Sequence, residues 1–173
     1  MSKKQDISNV EELLAHALNI EREAAERYAD LADQMDVHNN HEVAELFRKL
    51  AAIEAKHIGN VEALGDGREL PHIPPWEYQW GSTESPEAPP NDDAHYLMTP
   101  YHALSLALAA ERRAAEFFAR VAETATQEDV CQMAKQLRDE EEEHVRLVEQ
   151  WLSRYSKPEN GWNDDPDPPS AHE

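Results

Sequence analysis

Residues 50–64 read LAAIEAKHIGNVEAL, and residues 137–151 read LRDEEEEHVRLVEQW. In both stretches the apolar residues recur at alternating steps of three and four, which is the stripe that faces the core of a helix bundle. Residues three apart on a helix project from the same face. Each stripe is interrupted by one carboxylate and one imidazole at that spacing, namely Glu54 with His57 and Glu141 with His144.

Periodicity and capping signals predict four helices. The first spans about residues 8–36 and opens with a capping box from Ser8 to Glu11, and the second spans 41–64 and ends near Gly65. A third begins at Thr99 and Pro100, which suit the N-cap and the first helical position. The fourth begins near Thr126, and its stripe continues to Tyr155.

The first and third helices carry further breaks in their apolar stripes, at Glu21 and Glu111. Residues 18–32 align with residues 108–122 at 8 of 15 positions, and this alignment superimposes the two glutamates. Residues 50–62 align with residues 137–149 at 5 of 13 positions, including the carboxylate and imidazole of each pair. The chain therefore looks like a duplicated helical hairpin with a pseudo-twofold axis between its two copies.

These patterns predict an all-α four-helix bundle over residues 8–156, built from two repeated antiparallel hairpins. Residues 66–98 are rich in proline and long enough to run the length of a helix, so we interpret them as a crossover between the hairpins. We expect Trp76, Tyr78 and Trp80 to anchor this crossover by packing. Residues 157–173 form an acidic, proline-rich tail that we expect to be mobile.

The pseudo-twofold brings four carboxylates and two imidazoles to one place in the core. Four buried carboxylates without cations would repel one another and lose their hydration, whereas two divalent metals balance the four negative charges. Carboxylate and imidazole ligands suit iron or manganese, and zinc can replace them. The same constellation occurs in di-iron and di-manganese carboxylate bundles. The candidate metal ligands are Glu21, Glu54, His57, Glu111, Glu141 and His144.

Two alternatives stay open at this stage. Glu140 to Glu143 are consecutive, so Glu140 is the alternative ligand if the fourth helix has a different register. Tyr28 lies two turns beyond Glu21 and is equivalent to Phe118 in the repeat; core packing explains both, although Tyr28 could also hydrogen-bond near the site or carry a radical. A polar layer in which glutamates and histidines satisfy one another is the simplest non-metal interpretation, and the symmetry of the set argues against it.

Composition excludes several classes of function. The formal net charge is −20, which disfavours nucleic acids and anionic membranes as partners. The longest apolar window, around residues 103–110, is far shorter than the ~20 residues that span a bilayer. A single cysteine, Cys131, allows no intrachain disulfide, and we therefore expect a cytoplasmic protein.

On these residues the chain resembles the rubrerythrin branch of the ferritin-like superfamily. The matching motifs are Ile20 to Ala24 with Tyr28, Glu54 to His57, Ala110 to Arg112, and Glu141 to His144. The resemblance implies that Glu54 and Glu141 bridge two iron ions. It also implies that Glu21 with His57 completes one metal site, and that Glu111 with His144 completes the other.

The resemblance implies an oxidoreductase that reduces hydrogen peroxide or dioxygen, with Glu21, Glu54, Glu111 and Glu141 as its catalytic carboxylates. Rubrerythrins with a rubredoxin-like module need four cysteines for its iron, so this chain is expected to receive electrons from a separate donor protein. Typical members also carry a further glutamate one turn after the third-helix ligand, where this chain has Ala114. Ferroxidase or iron-storage activity is the alternative, an oxygenase is a third, and a homodimer is the expected assembly.

Overall fold

The computed structural model describes residues 7–79, 85–89 and 94–164. Four long helices are present, and we label them α1 (Val10–Val37), α2 (His41–Leu64), α3 (Pro100–Thr124) and α4 (Glu128–Leu152). A 3₁₀ turn, Pro75–Glu77, lies in the connection between α2 and α3. No strand occurs within these ranges. The predicted all-α fold is confirmed.

The ends of the helices follow ordinary capping chemistry, with two corrections. Asn9, not Ser8, caps α1, because its side chain accepts a hydrogen bond from the backbone of Glu12 at 2.8 Å. The Glu12 carboxylate in turn accepts from the backbone N–H of Ser8 at 3.0 Å. Serine and asparagine are nearly equal as N-caps, so the sequence does not choose between neighbouring candidates.

The second correction concerns α4, which begins two residues later than predicted and ends at Leu152. Tyr155 therefore lies beyond the helix and is 41% exposed, so its predicted place in the core stripe was wrong. The stripe pattern could not show that the helix had already ended. The predicted bounds of α2 agree with the structure, and Thr99 caps α3 as predicted, with its backbone N–H donating to the His102 ring at 3.0 Å.

The helices pair as two hairpins, α1 with α2 and α3 with α4, and the two hairpins form one bundle. Its core contains two hydrophobic clusters. One cluster includes Tyr28, Phe47 and Leu104, and the other includes Leu14, Phe117 and Leu137. On each helix, the buried glutamate lies between the residues of one cluster and those of the other. The layer of candidate metal ligands therefore crosses the middle of the bundle, with apolar packing on both sides.

The connection between the hairpins packs differently from its predicted form. Trp76 is 84% exposed and does not anchor the crossover, because the 3₁₀ turn presents it to solvent. Tyr78 does pack inward, edge-on against His16 with ring centroids 6.2 Å apart. Trp80 and residues 165–173 of the predicted tail lie outside the described residues. Within the described ranges, no helix is long and apolar enough to cross a membrane.

Candidate metal centre

The bundle brings the six predicted ligands together as two triads, one in each hairpin. In the first, the Nδ1 atom of His57 lies 3.1 Å from a carboxylate oxygen of Glu54 and 3.5 Å from one of Glu21. In the second, Nδ1 of His144 lies 3.0 Å from Glu141 and 3.5 Å from Glu111. The two triads thus have nearly the same geometry, as the sequence repeat predicted.

The two histidines connect the triads on the α2–α4 side of the bundle. Their rings are parallel within 1° and stack with centroids 3.7 Å apart. The side chains of His57 and His144 are 11% and 19% exposed, whereas those of the four glutamates are at most 5% exposed. Solvent therefore reaches the site from the histidine side, and the carboxylates lie behind the rings.

Glu141 is the inward-facing member of the acidic run on α4. Its side chain is 2% exposed and contacts His144, whereas Glu140 points outward and accepts a hydrogen bond from Gln136 at 3.2 Å. The alternative register is therefore excluded. Spacing to the histidine and the sequence repeat both selected the correct residue.

The buried charges shift the acid–base behaviour of the whole cluster. Burial raises the pKa of Glu21 well above its usual range, and the neighbouring carboxylates Glu141 and Glu54 raise it further. Burial likewise raises the pKa of Glu111 to about 8, against the opposing hydrogen bond from His144. Because Glu21 responds to Glu141 on the opposite hairpin, the two triads form one electrostatic unit.

Hydrogen bonds between histidines and glutamates also stabilise the charged forms of His144 and Glu54. Burial disfavours the His144 imidazolium, but hydrogen bonds to Glu111 and Glu141 outweigh burial and raise its pKa to about 11. Burial also opposes ionisation of Glu54, yet the hydrogen bond from His57 lowers its pKa below the ordinary value. In the metal-free protein, protons and imidazolium charge therefore take the place of metal cations among the carboxylates.

A fifth carboxylate at this site was not predicted. Glu87 comes from the crossover, is fully buried, and places a carboxylate oxygen in the same cluster as the donor atoms of Glu21, Glu54 and His57. Burial raises its pKa well above the usual range, and Glu21 and Glu54 add to the shift. No periodic pattern surrounds Glu87, and the chain is strongly acidic, so the sequence held no local signal that distinguished this glutamate.

Tyr28 is the other polar group beside the carboxylates. It is fully buried, stacks near Phe47 with centroids 6.1 Å apart, and its hydroxyl has no hydrogen-bond partner among the described residues. Burial raises its pKa well above 10, and the charges of Glu54 and Glu111 act in the same direction. The equivalent residue Phe118 is buried in the opposite cluster. Core packing accounts for both aromatic rings.

Comparison with known proteins agrees with this geometry. A model of the rubrerythrin family matches residues 12–152, a range that includes all six candidate metal ligands. The chain belongs to the rubrerythrin family. It also resembles the crystal structure of an uncharacterized conserved protein from Magnetospirillum magnetotacticum MS-1, with 37% identity and a TM-score of 0.64. That match covers 87% of this chain and 98% of the other. The comparison with curated proteins found no significant match.

The donors of this rubrerythrin-family site fit a pair of metal ions. Ligands bound at about 2.1 Å and at right angles around one ion lie about 3 Å apart, close to the nitrogen–oxygen distances within each triad. One carboxylate oxygen each of Glu21, Glu54 and Glu111 is buried without a close hydrogen-bond partner among the described residues, and those of Glu21 and Glu111 lie 3.5 Å from the nearest histidine Nδ1. Such orphaned oxygens are costly unless a cation binds them. The site is therefore compatible with a di-metal centre.

Proposed function

We propose that the protein is a non-haem di-iron oxidoreductase that reduces hydrogen peroxide or dioxygen at a carboxylate-bridged di-iron centre. The observation that best supports this proposal is the pair of equivalent Glu-Glu-His triads with orphaned, buried oxygens. Carboxylate and imidazole donors suit redox-active iron, and manganese and zinc would be substitutes. When bound, two ferrous ions would supply the two electrons that, with two protons, convert hydrogen peroxide to two waters.

The chain's own residues would hold the ions and control water and protons. Glu54 and Glu141 are proposed as the bridging carboxylates. Glu21 with His57, and Glu111 with His144, would each complete one half of the centre. The hydrophobic clusters on both sides of the layer exclude water along the bundle axis.

Proton release accompanies loading of the centre. The pKa of Glu111 is about 8, so its carboxyl holds a proton at neutral pH in the metal-free protein and gives it up when it becomes a ligand. Glu21, whose pKa is also raised, is proposed to do the same in the other half. Both groups can then take up or release protons whenever their coordination changes.

Anaerobic reconstitution with ferrous iron tests the proposed activity. We expect two irons per chain, oxidation by one equivalent of hydrogen peroxide within seconds, and full reversal by a chemical reductant. Stopped-flow absorbance follows the oxidation, and the same experiment with dioxygen establishes which oxidant reacts faster. Glu77→Gln, which alters an exposed carboxylate of the crossover, is the matched control. Two bound irons that neither oxidant oxidises would refute the proposal.

Iron handling is the second candidate, and the net charge of −20 favours it because an acidic surface attracts cations. A ferroxidase or storage protein would oxidise iron repeatedly and retain the product. Addition of ferrous iron in air at large excess, followed by size-exclusion chromatography and iron analysis, separates the two functions. Retention of many irons per chain in a large assembly supports storage, whereas a constant two irons supports the oxidoreductase.

Electrons are proposed to come from a separate donor protein, because the single cysteine of this chain cannot form a four-cysteine iron site. Cys131 is instead half-buried and donates its thiol hydrogen to the carbonyl of Ala122 at 3.3 Å. We further propose a homodimer, which light scattering of the metal-loaded protein would test. A redox titration with rubredoxin-like proteins as donors would test the proposal of a separate electron-donor protein.

A further inference from the structure

Glu87 differs from every other acidic residue of the crossover that the structure describes. Its side chain is completely buried, and neither of its carboxylate oxygens accepts a hydrogen bond from a described residue. One of those oxygens lies within 4.8 Å of donor atoms of Glu21, Glu54 and His57. The side chain is therefore directed into the first triad, and it reaches the site from outside the four helices.

Two arginines hold the backbone that carries Glu87. Arg113 on α3 donates to the carbonyl of Pro86 at 2.8 Å and to that of Ala88 at 3.5 Å. Arg27 on α1 donates to the carbonyl of Pro89 at 2.9 Å. The backbone is thus fixed on both sides of Glu87 against α1 and α3.

These contacts position the segment without neutralising the carboxylate. The arginine hydrogen bonds go to backbone carbonyls, while the Glu87 oxygens face other carboxylates. A buried carboxylate among other carboxylates is unfavourable unless a proton or a cation neutralises it, so a side chain that served packing alone would be better replaced by an apolar residue. The placement is favourable once a metal ion binds beside it.

We propose that Glu87 is a seventh protein ligand of the metal centre and belongs to the half formed by Glu21, Glu54 and His57. This inference rests on the proposed di-metal centre. The first half would have four protein residues as donors, whereas the half formed by Glu111, Glu141 and His144 has three. The two ions would therefore differ in coordination and affinity, although the helices around them are repeats of one another.

Anaerobic titration of the metal-free protein with ⁵⁷Fe(II) tests this asymmetry. We expect wild-type protein to bind two ions in steps of unequal affinity and to give two Mössbauer doublets of equal area. Glu87→Gln preserves size but removes the anionic donor. It should weaken one binding step by at least about tenfold, the smallest loss typical of groups that support a metal site, and leave the other unchanged. Glu77→Gln removes a carboxylate from the exposed part of the crossover and should change neither step.

The outcomes separate this inference from the proposed function. Wild-type protein that binds fewer than two ions would refute the di-metal centre itself. Two ions in wild-type protein, with both affinities and both doublets unchanged in Glu87→Gln, would overturn only the role of Glu87. Circular dichroism establishes that the variant is folded. If the variant does not fold, the wild-type Mössbauer spectrum still tests the role of Glu87. A single doublet from two equivalent irons would contradict a centre with four donors on one side and three on the other.

Discussion

The two halves of the candidate metal centre have the same origin in sequence but different surroundings. Within each triad, the histidine nitrogen lies 3.0–3.1 Å from one glutamate and 3.5 Å from the other. Glu87 joins only the first half, and His144 in the second half is more exposed than His57. The difference shows that the helical repeat sets a symmetric group of candidate ligands, and that the crossover, which has no counterpart in the repeat, makes their environments unequal.

Removal of a proposed bridging carboxylate should have the largest effect on metal binding, because it affects both halves of the proposed centre. Glu54→Ala and Glu141→Ala each remove a donor from both ions, so metal content measured by mass spectrometry should fall well below two per chain in either variant. Each variant also removes the closest partner of a histidine, so circular dichroism of the metal-free variants should accompany the metal analysis. Two tightly bound ions in both variants would show that these glutamates are not ligands.

Replacement of the histidines should reveal the inequality of the halves. With the two proposed bridging carboxylates counted at both ions, His57→Ala would leave four protein donors at the ion beside Glu87, whereas His144→Ala would leave three at the other. We therefore expect His144→Ala to lower the affinity of its ion by at least about tenfold more than His57→Ala does. Parallel ferrous titrations measure the ratio. Equal losses would mean that Glu87 adds nothing to the first half.

Much of this architecture could be predicted from sequence because helices impose a period. A glutamate in a stripe of buried residues, such as Glu21 between Ala17 and Ala24, is conspicuous, and the repeat then identifies Glu111. Such reasoning depends on regular structure and duplication. It therefore predicts the candidate ligands on the four helices and the hairpins that carry them.

Glu87 and Trp76 show where that reasoning ends. Both lie in a proline-rich connection whose path is set by tertiary contacts such as the Arg113 hydrogen bonds, and not by a local period. Tyr78 and the buried segment around Glu87 anchor this connection, while Trp76 faces solvent. In this acidic chain, the local sequence around a single glutamate among prolines does not indicate that its side chain will be buried.

A smaller effect is expected from pH. A rise in pH should lower the stability of the metal-free protein and increase its affinity for metal. The folded-state pKa values of Glu111, about 8, and His144, about 11, lie above their ordinary values of 4.5 and 6.5. Raised pKa values stabilise the metal-free fold below the ordinary values, and this stabilisation is lost as pH rises through 8 and 11. The metal-free protein should therefore melt at a lower temperature at pH 9 than at pH 6.

Metal binding needs deprotonated ligands, so affinity should increase over the same range, by up to about tenfold per pH unit for each proton released. Calorimetric titrations in buffers of different ionisation enthalpy count those protons directly. Glu77→Gln provides a control whose proton release should match that of wild type. Binding without proton release between pH 6 and 8 would contradict the raised pKa values.

The smallest effect should come from Tyr28, where the repeat places Phe118 in the other hairpin. The buried Tyr28 hydroxyl has no hydrogen-bond partner among the described residues, and an unsatisfied buried hydroxyl costs about 1–3 kcal/mol. Tyr28→Phe makes the two positions alike and should raise the unfolding free energy of the metal-free protein by about 1 kcal/mol, measured by urea denaturation. The reciprocal variant Phe118→Tyr would bury a new hydroxyl in the opposite cluster and should be destabilising. A destabilised Tyr28→Phe variant would instead mean that the hydroxyl is hydrogen-bonded in solution, which would add a further polar difference between the two halves.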